Sequence, residues 1–290
     1  MKPFDKIYKN VPHDQKEEFR KFRSTHPYKE LAVGDVLWDY ISCGKGKGKE
    51  TLVLLPGGFR YAEEWFRLIT ALESEYKIIS PMYPALPTMV DHMRGVANIL
   101  ETEKADHVHV LGISFGGWLA QCFVRSYLDK VKTVMLSNTS GHGPSATQMR
   151  LALILVPLYP DRVFRFGMKK GYLRLLTVPD SDREFWEAYI EEVTLSTAKN
   201  FILAQRKCFL DFTTNYTFLK DDLSDWPGRI LILESDNDQA FNKSAREALK
   251  SLYPAAKVHT FHNAGHMPLC SNPKEYVFVV RTFLKESQEK

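Results

Sequence analysis

Three polar residues that lie far apart in the sequence could together carry out nucleophilic catalysis: Ser114, Asp238 and His266. A serine hydroxyl is too weak an acid to attack a carbonyl group at neutral pH unless a base lies beside it. A histidine, with a pKa near about 6.5, can accept and return the proton, and a carboxylate can fix the imidazole tautomer. Nucleophile, acid and base follow one another in the order expected when such a triad is built on a parallel sheet.

The nucleophile candidate lies in a G-x-S-x-G motif that a third glycine, Gly117, follows directly. The apolar run Val108–Leu111 predicts a strand, and the run Trp118–Leu128 predicts a helix. A serine on such a strand-to-helix turn has a strained backbone, and glycines before and after it let strand and helix approach closely. The alternative is an ordinary turn with an inert serine, but the flanking elements favour a nucleophile elbow.

Two aspartates compete for the role of the acid. Both follow the predicted strand Arg229–Leu233, in the polar turn Glu234-Ser235-Asp236-Asn237-Asp238-Gln239. If Ser235 occupies the position that a glycine usually takes after this strand, Asp238 is the third residue beyond it and faces the base. We therefore prefer Asp238, and interpret Asp236 as a solvated loop carboxylate.

His266 is the preferred base because it follows a glycine after the last predicted strand and precedes the closing helix. His259 and His262 lie in or beside that strand, where surface or packing roles are more common.

An oxyanion hole requires backbone N–H groups directed at the developing negative charge. One donor should be the N–H of Phe115, the residue after the nucleophile. The second should come from the loop after the predicted strand Thr51–Leu55, where Gly57-Gly58-Phe59 allows close approach of the backbone. Gly58 is the first choice for this donor, and Phe59 is the second.

Strand and helix signals alternate over most of the chain, which predicts an α/β fold with a mostly parallel central sheet and helices on both faces. An antiparallel ribbon is expected at Lys29–Val33 and Val36–Ser42, and a helix at Ala62–Glu73. The alternation stops between about 141 and 222, where four helices separated by prolines are expected. We interpret 141–222 as an inserted helical cap, 28–140 and 223–290 as the core, and 1–27 as an N-terminal helical extension.

Composition excludes several classes of function. The 290 residues are 44% hydrophobic and 26% charged, with a net charge of +4, which is ordinary for a globular protein. The run Lys45-Gly46-Lys47-Gly48-Lys49 suggests a solvated hairpin loop, and no basic helix or aromatic platform accompanies it, so no nucleic-acid partner is expected. No apolar run approaches the roughly 18 residues of a membrane span, so stable membrane insertion is not expected.

The cysteines favour a reducing, cytoplasmic location. Cys43, Cys122, Cys208 and Cys270 are far apart and show neither metal-ligand nor redox spacing. The N-terminus lacks the apolar segment of a signal peptide. No metal or other cofactor is implied by these residues.

With these motifs identified, the chain resembles the α/β-hydrolase family over about 28–140 and 223–290. The resemblance implies a serine hydrolase in which Ser114, Asp238 and His266 form the triad. Two departures are present: Pro56-Gly57 stands where the family usually has His-Gly before the oxyanion loop, and Ser235 stands where it has a glycine. Neither departure removes a catalytic group, but the first leaves the anchoring of the oxyanion loop open.

Within the family, three stretches are similar to maspardin-like proteins: Gly116–Gln121, Asp238-Gln239 and Pro268–Cys270. That resemblance implies an alternative function, because maspardin-like proteins are regarded as non-catalytic protein-binding modules that lack the full triad. The histidine at position 266 keeps the catalytic interpretation open here.

The expected function is therefore hydrolysis of a carboxylic ester or related acyl compound through an acyl-Ser114 intermediate. The apolar cap favours a small or medium apolar acyl substrate. A serine argues against dehalogenase or epoxide-hydrolase chemistry, for which the family uses an aspartate nucleophile. An amidase or a C–C bond hydrolase would use the same triad and stays an alternative, as does a binding module with a protein partner.

Overall fold

The computed structural model describes residues 4–44 and 50–287, so the expected loop at 45–49 lies outside the described residues. Within the described residues the chain forms one sheet of eight strands in the order β1-β2-β4-β3-β5-β6-β7-β8. The strands β2 and β1 pair antiparallel with their neighbours, and the six strands from β4 to β8 are parallel. Their bounds are β1 Lys29–Val33, β2 Val36–Cys43, β3 Thr51–Leu55, β4 Lys77–Met82, β5 Val108–Ile113, β6 Val131–Ser137, β7 Arg229–Ser235 and β8 Lys257–Phe261.

Twelve α-helices lie within the same described residues, and the alternation of strands and helices follows the sequence pattern. They are α1 Phe4–Ile7, α2 His13–Thr25, α3 Phe66–Leu72, α4 Met89–Thr102, α5 Phe115–Ser126, α6 Ala146–Leu155, α7 Asp161–Leu175, α8 Asp180–Ser196, α9 Lys199–Asn215, α10 Lys243–Leu252, α11 Pro268–Ser271 and α12 Pro273–Glu286. No helix in the described part of the chain combines the length and apolar character needed to cross a membrane.

The sheet carries a hydrophobic core on each face, which confirms the predicted α/β class with helices on both sides. Side chains of α2, α3, α8 and α12 pack with the inward residues of one face. Side chains of α4, α5, α9 and α10 pack on the other. The strand β3 is buried along its whole length, as expected for a strand covered on both faces.

Three predicted helices differ from the structure at their ends. The segment predicted as one helix over Ala62–Glu73 is a 3₁₀ turn, Ala62–Trp65, followed by α3. The first of the four helices expected between 141 and 222, with predicted bounds Met149–Leu158, is α6 with a 3₁₀ turn at Val156–Leu158. The helix after the G-x-S-x-G motif begins at Phe115, not at Trp118, because the close approach of α5 to the sheet overrides the poor helix propensity of its two glycines.

Arg23 joins the N-terminal helix α2 to two other segments of the molecule through buried carboxylates. The guanidinium of Arg23 donates to both carboxylate oxygens of Glu63, in the 3₁₀ turn, and of Glu192, in α8. The hydroxyl of Tyr8 also donates to Glu192, at 2.7 Å. These carboxylates are 9% and 11% exposed, so the pairs are shielded from water. The extension therefore joins the segment before α3 to one of the helices between β6 and β7.

We predict that Arg23→Met lowers the free energy of unfolding by about 2–3 kcal/mol, because it removes the counter-charge of two shielded carboxylates and leaves Glu192 with only the hydroxyl of Tyr8. This is less than the roughly 3–5 kcal/mol of a fully buried pair, since Arg23 is partly exposed. Chemical denaturation measures the change. The combined variant Arg23→Met, Glu63→Gln, Glu192→Gln should recover much of the loss; no recovery would contradict an electrostatic origin.

Candidate active site

Ser114 has the strained backbone that the motif predicts. It connects β5 to α5 with φ +53° and ψ −116°, which places a non-glycine residue in a sparsely populated conformation. Its N–H donates to the carbonyl of Ser137 at 3.0 Å, and its own carbonyl accepts from the hydroxyl of Thr139 at 2.8 Å. The end of β6 and the loop directly after it thus hold the backbone of the serine from two sides, and the serine side chain lines the cavity described below.

Two glycines of the motif are required because backbone atoms lie where a side chain would be. A Cβ at Gly112 would lie 2.1 Å from the carbonyl oxygen of Gly116. A Cβ at Gly116 would lie 2.1 Å from the carbonyl oxygen of Leu55, at the end of β3. Helix α5 therefore starts directly against the loop that follows β3, and this contact brings the nucleophile candidate next to the oxyanion-loop candidate.

Asp238 and His266 lie together at the carboxyl ends of β7 and β8. The His266 Nδ1 lies 2.9 Å from Oδ1 and 3.1 Å from Oδ2 of Asp238. The carboxylate is fully buried, and the imidazole is 5% exposed. An ionised Asp238 can only accept hydrogen bonds, so the proton is assigned to Nδ1, which leaves Nε2 as the basic atom.

Burial by itself would raise the pKa of Asp238, but hydrogen bonds to the carboxylate hold that pKa below its usual value. The donors are His266, the side-chain amide of Asn138 at 2.9 Å and the backbone N–H groups of Ala240 and Phe241. Sequence reasoning missed Asn138. Its place directly after β6, at the edge of the sheet where ligands collect, was the available signal.

The turn that carries Asp238 is bound to the loop of His266 by four consecutive side chains. Asp236 accepts from the N–H of Asn263, Asn237 from the N–H of Gly265, Asp238 from the ring of His266, and Gln239 from the N–H of His266. The sequence did not assign roles to Asn237 and Gln239. Together these bonds fix the backbone as well as the ring of the histidine.

The competing acid and base form a separate pair at the surface. The His262 Nδ1 lies 2.8 Å from Asp236 Oδ2, and the two side chains are 80% and 40% exposed. His259 lies 2.9 Å from a carboxylate oxygen of Glu275. None of these side chains lines the cavity that contains Ser114 and His266.

The oxyanion-loop candidate is anchored by a buried acid, Glu64. The N–H of Gly57 donates to Glu64 Oε1 at 2.6 Å, and the carbonyl of Gly58 accepts from Gln205 Nε2 at 3.1 Å. The N–H groups of Gly58, Phe59 and Phe115 donate to no other described residue. The sequence signal for Glu64 was a pair of acids, Glu63 and Glu64, between apolar residues of the same turn.

A cavity of about 560 Å³ brings these parts together. Polar groups of the nucleophile, the base and the oxyanion loop share it with mostly apolar side chains from α5, α7, α9 and the segment before α10. Its lining includes Gly58, Phe59, Ser114, Phe115, Trp118, Tyr172, Leu175, Gln205, Arg206, Phe209, Phe241, His266 and Met267. Helices α7 and α9, which lie between β6 and β7, therefore contribute to the same space as the serine and the histidine.

A possible metal-ligand group lies outside this cavity. Among the described residues, the ligand atoms of His26, Cys43 and Glu73 lie within 4.8 Å of one another. His26 Nε2 is 2.8 Å from Glu73 Oε2, and burial with the neighbouring carboxylate raises the pKa of the Cys43 thiol to about 12. These groups already interact with each other, and none of them contacts the serine, the aspartate or the histidine above.

A family model and a relative of known sequence both match most of this chain. Residues 52–277 match the model of the Alpha/beta hydrolase family. Maspardin from Homo sapiens is 32% identical over 274 residues, which cover 90% of this chain and 85% of that protein.

Solved structures share the fold at low sequence identity. The enol-lactonase from Burkholderia xenovorans superposes with a TM-score of 0.77 at 16% identity, covering 89% of this chain and all of that one. A thermophilic esterase from Thermogutta terrifontis gives a TM-score of 0.74 at 18% identity, covering 90% of this chain and 98% of that one.

We predict that Glu64 makes the protein less stable as pH rises. Burial raises the pKa of Glu64 from 4.5 to about 8. The native state therefore keeps a proton that the unfolded state releases above pH 4.5, so the stability that Glu64 contributes is fully present below that pH and is lost as the pH rises to about 8. The fall should reach roughly 3–5 kcal/mol.

Urea denaturation across this range measures the slope. Glu64→Gln keeps an acceptor for the N–H of Gly57 and should remove the Glu64 contribution, whereas Glu101→Gln, at an exposed position, should not. An unchanged slope in Glu64→Gln would show that the carboxyl is ionised in the native protein.

Proposed function

Because the chain belongs to the α/β-hydrolase family, we propose that it is a serine hydrolase that cleaves carboxylic esters through an acyl-Ser114 intermediate. One observation carries the proposal: Ser114, in its strained turn, lines the same cavity as His266, whose Nδ1 lies 2.9 Å from the buried Asp238. These are the parts that an activated serine requires.

The proposed reaction begins when Ser114 Oγ attacks the carbonyl carbon while His266 Nε2 accepts the hydroxyl proton. Asp238 stays ionised and stabilises the imidazolium. The N–H groups of Phe115 and Gly58, with Phe59 as the second choice in that loop, donate to the developing oxyanion. The intermediate then expels the alcohol, which takes the proton from His266. Water activated by the same histidine hydrolyses the acyl-enzyme.

The structure supports a role for the oxyanion loop in two ways. Glu64 accepts from the N–H of Gly57, so that group is not offered to the substrate, while the next two N–H groups have no acceptor among the residues that the structure describes. The first turn of α5 adds the positive end of its helix dipole beneath Ser114. Removing one donor from such a site typically lowers the rate by about 10²–10³.

An ester is preferred over an amide or a C–C bond as the substrate. The cavity lining is mostly apolar, which suits a small or medium acyl group. The names of two structural neighbours, an enol-lactonase and an esterase, say that those proteins act on esters. We further propose that the helices between β6 and β7, within 141–222, form a cap over the site.

We propose a cytoplasmic location because the cysteines are not joined in disulfide bonds. All four are free thiols, and Cys122, Cys208 and Cys270 are buried. Burial raises the pKa of each of these three thiols, which keeps them protonated and unreactive.

Labelling with a fluorophosphonate probe tests the proposal, because such probes react with activated serines. We expect an adduct on Ser114, located by mass spectrometry, and none in Ser114→Ala. His266→Ala should slow labelling by about 10³ or more, and Asp238→Asn by at least about 10².

Exposed residues outside the site supply matched controls: His262→Ala and Glu275→Gln should label within about threefold of the parent protein, since neither side chain lines the cavity. If the folded protein forms no adduct, the serine is not activated. The proposal then fails in favour of a maspardin-like binding module that has a protein partner in place of a substrate.

A further inference from the structure

One cation in the cavity, the guanidinium of Arg206, forms no hydrogen bond or ion pair with another described residue. Arg206 lies on α9 between Gln205 and Phe209, and all three line the cavity that contains Ser114 and His266. Its guanidinium carbon lies 5.4 Å from the centre of the Phe209 ring. The side-chain amide of Gln205 already donates to the carbonyl of Gly58. Of the two long polar side chains that α9 places in the cavity, Arg206 is therefore the one available to a ligand.

The absence of a partner sets Arg206 apart from comparable residues. It is half-buried, and no hydrogen bond or ion pair joins it to another described residue. Every other half-buried arginine in the described ranges binds a carboxylate or carbonyl oxygen: Arg23, Arg60, Arg67, Arg125, Arg165, Arg229, Arg246 and Arg281. Burial accordingly lowers the pKa of Arg206. An uncompensated guanidinium is costly, and an anion in the cavity would remove that cost.

The cavity itself offers no fixed negative charge to Arg206. Glu64 is the acid in the lining, and its pKa of about 8 keeps it mostly neutral at pH 7. Asp238 is fully buried behind His266 and does not line the cavity. The remaining lining is dominated by aromatic and aliphatic side chains. A ligand with an apolar body and one anionic end therefore complements this space.

We propose that Arg206 binds a carboxylate at the end of the acyl substrate remote from the ester, so that the substrate is a monoester of a dicarboxylic acid. Two parallel hydrogen bonds from the guanidinium match a carboxylate, and one guanidinium balances one negative charge. A phosphate dianion would leave charge uncompensated. This inference rests on the proposed hydrolase activity, because it names the substrate of the same site.

Paired substrates separate recognition of the anion from catalysis. The p-nitrophenyl monoester of glutaric acid carries the carboxylate, and p-nitrophenyl valerate is its neutral counterpart of the same chain length. We expect Arg206→Gln to lower kcat/KM for the glutarate ester by about 10- to 100-fold, and for the valerate ester far less. The kcat/KM of Arg206→Lys for the glutarate ester should lie between those of the parent protein and Arg206→Gln, because lysine keeps the charge but loses the paired donors. Lys207→Gln, an exposed neighbour with the same change of charge, should leave both values unchanged.

Equal losses of kcat/KM on the two esters in Arg206→Gln would overturn the proposal, since a purely structural role predicts that result. Equal values of kcat/KM for the two esters in the parent protein would overturn it as well.

Binding of monoethyl glutarate and ethyl valerate to Ser114→Ala, measured by calorimetry, separates the claim of an anion site from the claim of hydrolase activity. If the protein binds the monoester selectively and Arg206→Gln abolishes that binding, the anion site is supported even when no ester is hydrolysed. Hydrolysis of valerate without such selectivity leaves the hydrolase intact and rejects the anion site.

Discussion

The site depends on a backbone constraint at Ser114. A non-glycine residue at φ +53° costs about 1–3 kcal/mol and persists only where the surroundings enforce it. Here the end of β6 and the loop after it bind both peptide groups of the serine, and α5 begins against the carbonyl of Leu55. That contact also sets the position of the oxyanion loop. Nucleophile and loop are thus positioned by the same close packing.

The base is positioned by a second, independent device. Four consecutive side chains of the turn after β7 bind the loop after β8, so the histidine is fixed through its backbone and through its ring. Asn138 joins β6 to this arrangement, since its amide reaches Asp238, Ser235 and Gly265. Ser235, which departs from the family's usual glycine, is buried and serves as one of these acceptors.

The sequence predicted the class of fold, the succession of strands and helices along the chain and which polar residues follow the strands, because each of these signals was local. Apolar runs marked the strands, and G-x-S-x-G marked the turn. It could not predict Glu64 or Arg206, whose roles depend on contacts across the fold: one anchors the Gly57 N–H, and the other meets the cavity from α9. The 3₁₀ turn at Ala62–Trp65 was missed because its apolar pattern also fits an α-helix.

The central claim is that Ser114 is the covalent nucleophile. It is tested most directly by mixing the protein with excess p-nitrophenyl ester, stopping the reaction in acid within the first turnover and mapping the acyl group by mass spectrometry. The account predicts an acyl ester on Ser114 whose formation accompanies a burst of p-nitrophenol. An acyl group on a different residue, or p-nitrophenol release with no covalent species at any time, would contradict it.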